Sequence, residues 1–252
     1  MLSPALKDFH DAVFVVTAPG FEDRQQHMRE ELDERNFEFV YGVNKSETSK
    51  EKLIADGSYD ERRAIELDRS SKPMTLGHIC CSISHSNVYR HICENDIKKA
   101  LIFEDDAVLL PVDESLVKEI VASVPDDAGL VYWGWKSDGE PPHSGLKKWL
   151  YKRQHDLGLL NYTYTMIDNL YPSDFNDHFF RAGKTFFTHA YTISLAAAER
   201  MLELNTPTVL NADNALMYAV LNGDFPAYLS KMQLFGQRSH VVGDQLRSHT
   251  QS

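Results

Sequence analysis

The amino-acid sequence predicts an α/β fold in which helices flank a mixed, mainly parallel sheet. A continuous apolar run at residues 12–16 is typical of a buried strand, and a helical pattern follows it over residues 22–35. Residues 37–41 then alternate polar and apolar side chains, as a second strand does. A strand, a helix and a strand within the first 42 residues are typical of the opening of a domain with a parallel sheet.

The later segments continue this alternation. Residues 44–72 are polar and predict one or two short surface helices. A longer helix is predicted over residues 75–95, because Gly77, His85 and Ile92 fall on one helical face. Asn211 and the Asn222-Gly223 pair predict the two ends of a late helix. The other predicted elements are strands at 100–103, 129–133, 186–193 and 227–229, and helices at 113–123, 195–204 and 212–221.

Residues 134–184 lack a sustained periodicity. They contain Pro141-Pro142, many aromatic residues and mixed charges, which indicate a functional loop region or a small insertion. The aromatic side chains are typical of a groove that binds sugar rings, and core packing explains several of them equally well. We therefore expect a single domain over residues 1–252, with a long acceptor-side loop region around 134–184 and an irregular C-terminal tail at 230–252.

Composition limits the classes of partner. The net charge of −11 argues against nucleic acid or an anionic membrane surface as the main partner, although residues 147–153 form a basic local patch. No apolar run approaches the roughly 18 residues of a membrane helix, and the N-terminus lacks a secretory signal pattern. We expect a cytoplasmic protein with at most peripheral association with the inner membrane. The three cysteines predict buried thiols, since Cys80-Cys81 lacks metal-ligand spacing.

The most informative segment is the acidic triplet Glu104-Asp105-Asp106, which follows the predicted strand at 100–103. Carboxylates crowded at a strand end repel one another, and a divalent cation relieves that repulsion. Because a hard cation attracts phosphate oxygens, the triplet indicates a metal–diphosphate site, as in enzymes that use nucleotide-activated sugars. A solvated acidic turn is the alternative.

Three segments together resemble glycosyltransferase family 25, which includes lipopolysaccharide sugar transferases and collagen galactosyltransferases. The first is the opening strand with the loop and helix up to residue 28. The second and most distinctive is the helix at 75–85 followed by the strand and acidic motif at 100–107. The third is the strand and helix at 188–199 with residues 211–214. His78 and Cys80 depart from the family pattern, where glutamate and glycine are usual.

The resemblance implies a GT-A nucleotide-sugar transferase fold, a Mn²⁺ or Mg²⁺ cofactor bound at a DXD-like motif, and a UDP-sugar as donor. It implies an inverting transfer of a hexose, galactose or glucose, to a glycan or glycolipid acceptor such as a lipopolysaccharide or surface-glycan precursor. Two alternatives are a metal-dependent hydrolase of diphosphates or glycosides and a catalytically inactive sugar-binding homologue. The oligomeric state does not follow from the sequence.

The metal ligands expected under this resemblance are Asp106 and Glu104, because side chains two apart on an extended segment point the same way. Asp105 would then face the other side, toward the ribose or a backbone donor. Several enzymes with this fold use a late histidine as a third ligand, so His240 is a metal-ligand candidate. A solvated tail histidine is the other interpretation of His240.

Thr17, Ala18 and Arg24 are expected in the nucleobase and ribose pocket, because loops after parallel strands line such crevices. Arg24 could equally pair with a neighbouring acid on the surface. Ser84 and His85 are expected to contact the donor sugar or to orient an acidic ligand. The alternative is a buried, hydrogen-bonded pair that fixes the helix to the sheet.

An inverting transfer requires a base that takes the proton of the acceptor hydroxyl. Asp213 is the predicted base, in the first turn of the helix at 212–221. The alternative is a carboxylate that only stabilises the helix dipole. Asp174 and Asp177 are lesser candidates in the aromatic loop region.

Overall fold

The computed structural model of the protein describes residues 1–67, 72–137, 145–160 and 162–238. The ten strands found in these residues are β1 (Ala12–Thr17), β2 (Glu38–Tyr41), β3 (Lys99–Glu104), β4 (Ala107–Leu109), β5 (Leu130–Ser137), β6 (Ser173–Asp174), β7 (Phe179–Arg181), β8 (Thr185–Ser194), β9 (Ala227–Ser230) and β10 (Phe235–Gln237). The ten α-helices in the same residues are α1 (Pro4–Phe9), α2 (Glu22–Leu32), α3 (Lys50–Ala55), α4 (Glu61–Leu67), α5 (Leu76–Glu94), α6 (Glu114–Ala122), α7 (Gly145–Asp156), α8 (Tyr164–Asp168), α9 (Leu195–Asn205) and α10 (Ala212–Asn222).

Local signals in the sequence fix the ends of the main helices. The Thr75 side chain accepts a hydrogen bond from the backbone N–H of His78 and so caps α5. Asn211 caps α10 in the same way, and Gly223 ends that helix in the left-handed conformation, as predicted. Helix α2 ends earlier than its sequence pattern predicts, because Asp33 has a φ of 65° and a short 3₁₀ turn follows at Glu34–Asn36.

Eight strands form one mixed sheet in the order β2-β1-β3-β8-β5-β9-β7-β6. The pairs β1–β2, β1–β3 and β5–β9 are parallel, whereas β8 is antiparallel to both of its neighbours, β3 and β5. Six of the eight strands therefore run in one direction, and β7 and β8 run in the other. The sequence-based prediction of an α/β fold with a mainly parallel sheet flanked by helices is confirmed.

Alternate side chains of the central strands enter two hydrophobic cores, one on each face of the sheet. On one face Phe14 and Ile102 join side chains of α5, α9 and α10. On the other face Val15 and Leu101 join side chains of α1, α2 and α6. A strand covered on both faces has no polar side, which explains the continuous apolar runs in β1 and β3.

The register brings the ends of three strands to one edge of the sheet. Val16 in β1 pairs with Glu104 in β3, so both strands end together. Because β8 runs in the opposite direction, its early residues reach this same edge, with Ala190 opposite Phe103. Side chains from two strand ends and one strand beginning therefore meet here.

The segment that lacks periodicity contains short regular elements. Strand β5 extends to Ser137, and α7, α8, β6 and β7 follow it, while Pro141-Pro142 lies outside the described residues. The described part of the C-terminal tail contains β10, which pairs antiparallel with β4. No helix among the described residues is long and apolar enough to span a bilayer.

Candidate active site

The acidic triplet lies where β3 ends at the carboxyl edge of the sheet. Glu104 is the last residue of β3, Asp105 and Asp106 form a turn, and β4 begins at Ala107. This sharp turn sends the three consecutive carboxylates into three different environments.

Asp105 is held by the neighbouring strand and helix. Its Oδ2 accepts a hydrogen bond of 2.8 Å from the hydroxyl of Thr17, and its Oδ1 accepts one of 2.6 Å from the Arg24 guanidinium. The side chain is largely buried. The two carboxylate oxygens thus already have protein partners, which gives Asp105 the role of an anchor between β1, α2 and the acidic turn. Ala18, next to Thr17, is also buried, and its carbonyl accepts a hydrogen bond from Gln25.

Asp106 lacks such a full set of partners. Its Oδ2 accepts a hydrogen bond of 3.1 Å from Gln237 of β10 and lies 3.9 Å from the Arg24 guanidinium. Its Oδ1 is buried without a hydrogen-bond partner among the described residues. Burial, followed by the charge of Glu104, raises the pKa of Asp106 to about 7, although Arg24 opposes the shift.

Glu104 and Asp213 converge on one threonine hydroxyl. Thr188 Oγ1 lies in hydrogen-bonding contact with Glu104 Oε1 and 2.9 Å from Asp213 Oδ1. A hydroxyl has one proton to donate, so it satisfies both contacts only when a carboxyl group supplies a second proton. Thr188 comes from β8 and Asp213 from the first turn of α10, so the cluster joins three separate elements.

The electrostatics identify Asp213 as the group that holds the proton more tightly. Burial, with the charge of Glu104, raises the pKa of Asp213 to about 6. Burial also disfavours the charged form of Glu104, but the neighbouring His85 ring and the Thr188 hydroxyl outweigh it and lower the pKa of Glu104. Two adjacent carboxylates with opposite shifts are typical of sites that carry out acid–base chemistry.

His85 links α5 to this cluster. Its Nδ1 lies 2.8 Å from the Tyr191 hydroxyl, which in turn contacts the Tyr89 hydroxyl at 2.8 Å. Its Nε2 is buried, lies 3.6 Å from Glu104 Oε1, and has no hydrogen-bond partner among the described residues. One ligand atom each from Cys81, His85 and Glu104 lies within 4.8 Å of the others, so this trio is a second set of potential metal ligands. Burial raises the pKa of the Cys81 thiol well above its usual range.

Ser84 makes its hydrogen bonds within α5 and to the segment after β2. The Ser84 hydroxyl donates to the Cys80 carbonyl at 2.7 Å and accepts from the Val43 N–H at 3.2 Å. A Cβ added at Gly42 would lie 1.7 Å from the Ser84 hydroxyl, so this serine packs tightly against the end of β2. His240 lies outside the described residues.

The sequence analysis did not select Thr188, Gln237, Tyr191 or Cys81 as site residues. A threonine within a strand has no distinctive pattern, and its relation to Glu104 follows only from the antiparallel placement of β8 beside β3. Gln237 reaches Asp106 because β10 pairs with β4 across more than a hundred residues of sequence. Seven of the predicted residues do lie together at one edge of the sheet: Thr17, Arg24, His85, Glu104, Asp105, Asp106 and Asp213.

The donor set fits a hard divalent cation. The partnerless Asp106 Oδ1 and the Glu104 carboxylate are oxygen ligands of the kind that Mn²⁺ and Mg²⁺ prefer. The raised pKa of Asp106 follows from its burial and from the charge of Glu104, which Arg24 at 3.9 Å only partly offsets. The thiol and imidazole of the second set are softer donors, which suit Zn²⁺ better.

Comparison with known proteins finds a matching family over most of the chain. A family model described as glycosyltransferase family 25 (LPS biosynthesis protein) matches residues 11–216. The match includes both β1 and the acidic turn, and it extends into α10 beyond Asp213.

Individual curated relatives share less than 30% sequence identity with the chain. Procollagen galactosyltransferase 2 of Homo sapiens is 23% identical over 197 residues, which cover 77% of this chain and 28% of that protein. A glycosyltransferase 25 family member of Drosophila melanogaster is 26% identical over 154 residues, or 55% of this chain and 25% of that protein. Procollagen galactosyltransferase 1-A of Xenopus laevis is 27% identical over 101 residues, or 38% of this chain and 16% of that protein. The chain thus spans less than a third of the length of these relatives.

Proposed function

Because the chain belongs to glycosyltransferase family 25, we propose that it transfers a hexose from a uridine diphosphate sugar to a glycan acceptor, with Mn²⁺ or Mg²⁺ as cofactor. One observation carries the proposal. The carboxylates of Glu104, Asp106 and Asp213 gather at one edge of the sheet, and one buried Asp106 oxygen has no partner among the described residues.

Glu104 and Asp106 would hold the cation. When bound, it would neutralise the charge that develops on the departing nucleoside diphosphate. Asp105 does not compete for this role, because Thr17 and Arg24 occupy its two oxygens. That pairing fixes the direction of the turn and so keeps the Asp106 carboxylate at the edge of the sheet.

Asp213 acts as the base that accepts the proton of the acceptor hydroxyl. A group with a pKa of about 6 is mostly ionised at neutral pH and yet basic enough to take a proton in the transition state. Thr188 Oγ1 lies 2.9 Å from Asp213 Oδ1 and restricts the orientation of this side chain. Because Thr188 belongs to β8, the orientation of the Asp213 side chain does not depend on α10 alone.

Arg24, Thr17 and Ala18 border the edge on which the nucleotide would bind, with Ser84 and His85 on the helix behind it. The Arg24 side chain is mostly covered, and its Nη1 donates the hydrogen bond to Asp105. The names of the procollagen galactosyltransferases favour galactose over glucose as the donor sugar. The family description favours a lipopolysaccharide or related surface glycan as the acceptor.

The direct test is Mn²⁺-dependent donor hydrolysis and transfer, screened over a panel of UDP-hexoses. We expect the Asp106→Ala variant to lose turnover by more than about a hundredfold while its circular dichroism is unchanged. Near-normal turnover of this variant would overturn the assignment of the metal site. Release of free sugar as the sole product, with every glycan acceptor tried, would favour the hydrolase alternative.

A matched pair of variants tests the base. Asp213→Asn keeps the shape and removes the basicity, so transfer should fall by about a hundredfold or more while UDP binding is retained. Asp113→Asn is the control, because Asp113 is an exposed residue that caps α6 and accepts a hydrogen bond from the backbone N–H of Ser115. If Asp213→Asn transfers as fast as Asp113→Asn, Asp213 is not the base.

A further inference from the structure

Helix α7 presents an apolar face to solvent. Exposed leucines and a tryptophan lie on this helix and in the turn after it: Leu146 at 72% exposure, Trp149 at 54%, Leu150 at 48%, Leu157 at 73% and Leu159 at 74%. Within the helix, Leu146, Trp149 and Leu150 are three and four residues apart, so they share one face. Large apolar side chains concentrated in this way mark an interaction surface.

The opposite side of α7 attaches the helix to the protein through Tyr151, which packs against the apolar cluster of Met166, Leu170 and Leu221, and through polar contacts. Lys148 donates to the Asp168 carbonyl at 2.6 Å, and Lys152 lies 2.7 Å from the Asp168 carboxylate. The His155 ring packs edge-on against Tyr164. A surface helix normally turns its apolar side toward the core and its charges toward water. In α7 two lysines point inward, whereas the leucines point outward and stay exposed among the described residues.

The charge around α7 differs in sign from that of the whole chain. Two carboxylates lie on or next to α7, those of Asp156 and Asp168. The helix carries four basic side chains, those of Lys147, Lys148, Lys152 and Arg153, so the local charge is +2. The whole chain carries −11. An anionic surface would therefore be attracted to this helix and repelled by the rest of the protein, which favours one orientation.

Trp149 and Arg153 have the geometry that suits a lipid–water interface. The Arg153 guanidinium lies over the Trp149 ring, 5.6 Å from its centroid. A long arginine side chain lies along an apolar surface while its charged end stays hydrated, and tryptophan prefers the boundary between lipid and water. Both residues can thus remain on the outward face of α7 when its leucines enter an apolar layer.

A second copy of the chain fits this face less well. At 1.5 Å per residue the twelve residues of α7 span about 18 Å, and a face about 10 Å wide covers roughly 200 Å². A stable protein–protein interface buries about 800 Å² on each partner. A bilayer needs no complementary partner surface, so a small apolar face with basic flanks is sufficient.

We propose that α7 docks the protein onto the surface of an anionic lipid bilayer, with Leu146, Trp149 and Leu150 inserted among the acyl chains. The helix lies in the plane of the interface, held by apolar burial and by the local positive charge. This inference rests on α7 alone and does not depend on the identity of the donor, the acceptor or the metal. The overall charge of −11 argues against anionic membranes only as an average over the chain.

The test is co-sedimentation of the full chain with phosphatidylcholine vesicles, with and without phosphatidylglycerol. We expect binding to the anionic vesicles that weakens as salt is raised. In the double variant Leu146→Glu, Leu150→Glu the apparent partition coefficient should fall at least about tenfold. The matched control is Ile54→Glu, because Ile54 on α3 is also exposed, at 42%, and lies on another helix. Equal binding by the double variant and the wild type would overturn the proposal.

Tryptophan fluorescence provides a second, independent readout. Of the three tryptophans, Trp133 is buried and Trp135 donates to the Ser230 carbonyl, whereas Trp149 is largely exposed. We expect a blue shift on addition of anionic vesicles that disappears in Trp149→Phe. Two results would overturn membrane docking. One is the absence of any shift with wild-type protein. The other is a dimer in vesicle-free solution that the Leu146→Glu, Leu150→Glu change converts to a monomer.

Discussion

Replacing Asp106 with asparagine should stabilise the metal-free protein at neutral pH even though it removes a proposed metal ligand. Asp106 is a carboxylate that the fold accommodates poorly when it is charged. Burial and the charge of Glu104 raise its pKa from an ordinary value of 3.8 to about 7, and only 17% of its side chain is exposed. Asparagine has the same shape and carries no charge, so it removes the electrostatic cost without leaving a cavity.

The magnitude follows from the linkage between proton binding and folding. Between pH 3.8 and about 7 the folded protein binds a proton at Asp106 that the unfolded chain has released. Stability contributed by this group is therefore fully present below pH 3.8 and is lost as the pH rises through 7. At 1.4 kcal/mol per pKa unit the loss is at most roughly 4 kcal/mol. Partial exposure and relaxation reduce it, and we expect a gain of about 1–3 kcal/mol for Asp106→Asn at pH 8.

The assay is urea unfolding with EDTA present, at pH 8 and at pH 5. The stabilisation by Asp106→Asn should be large at pH 8 and small at pH 5, where the wild-type carboxyl is already protonated. The control is Asp113→Asn, which changes the net charge equally at an exposed helix cap and should shift stability by less than about 0.5 kcal/mol. A loss of stability for Asp106→Asn that is the same at both pH values would refute the electrostatic reasoning.

Other predictions follow from single contacts. Thr188→Val should lower kcat by about tenfold or more and shift its pH profile, because both carboxylates lose a hydroxyl partner, while Thr188→Ser should retain most of the activity. Gly134→Ala should cost about 1–3 kcal/mol in urea unfolding, because the added Cβ would lie 2.4 Å from the backbone oxygen of Phe235. Burial lowers the pKa of His10 to about 4, so stability should fall as the pH drops from 6.5 toward 4, and His10→Gln should flatten this acid limb.

The central strands and the capped helices could be predicted from sequence because their signals are local. The runs at β1 and β3 are continuous because both faces of these strands are covered. Asn211 and Gly223 mark α10 through hydrogen bonds and backbone conformation within a few residues. The acidic triplet was informative for the same reason, since its three charges are adjacent in the chain.

The parts that could not be predicted depend on contacts between distant segments. Periodicity indicates that β8 is a strand but does not indicate that it runs antiparallel between β3 and β5. That direction brings Thr188 to Glu104, so this residue was not recognised as part of the site. Helix α7 was not predicted because residues 134–184 lack a sustained periodicity, and its exposed apolar face became evident only in the structure.

The fold explains why adjacent and chemically similar acids acquire different roles. The Arg24 guanidinium and the Thr17 hydroxyl both donate hydrogen bonds to the Asp105 carboxylate. His85 and Thr188 favour the charged form of Glu104. Asp106 lies 3.9 Å from the Arg24 guanidinium and accepts one hydrogen bond from the neutral amide of Gln237. It therefore retains a strong affinity for positive charge. Burial, followed by the charge of Glu104, raises the pKa of Asp106 to about 7, so the carboxyl holds a proton in the absence of another cation. If Asp106 is a metal ligand as proposed, protons and the divalent cation compete for this one carboxylate. The apparent metal affinity should therefore fall as the pH decreases below about 7, and it should do so without any change in the fold.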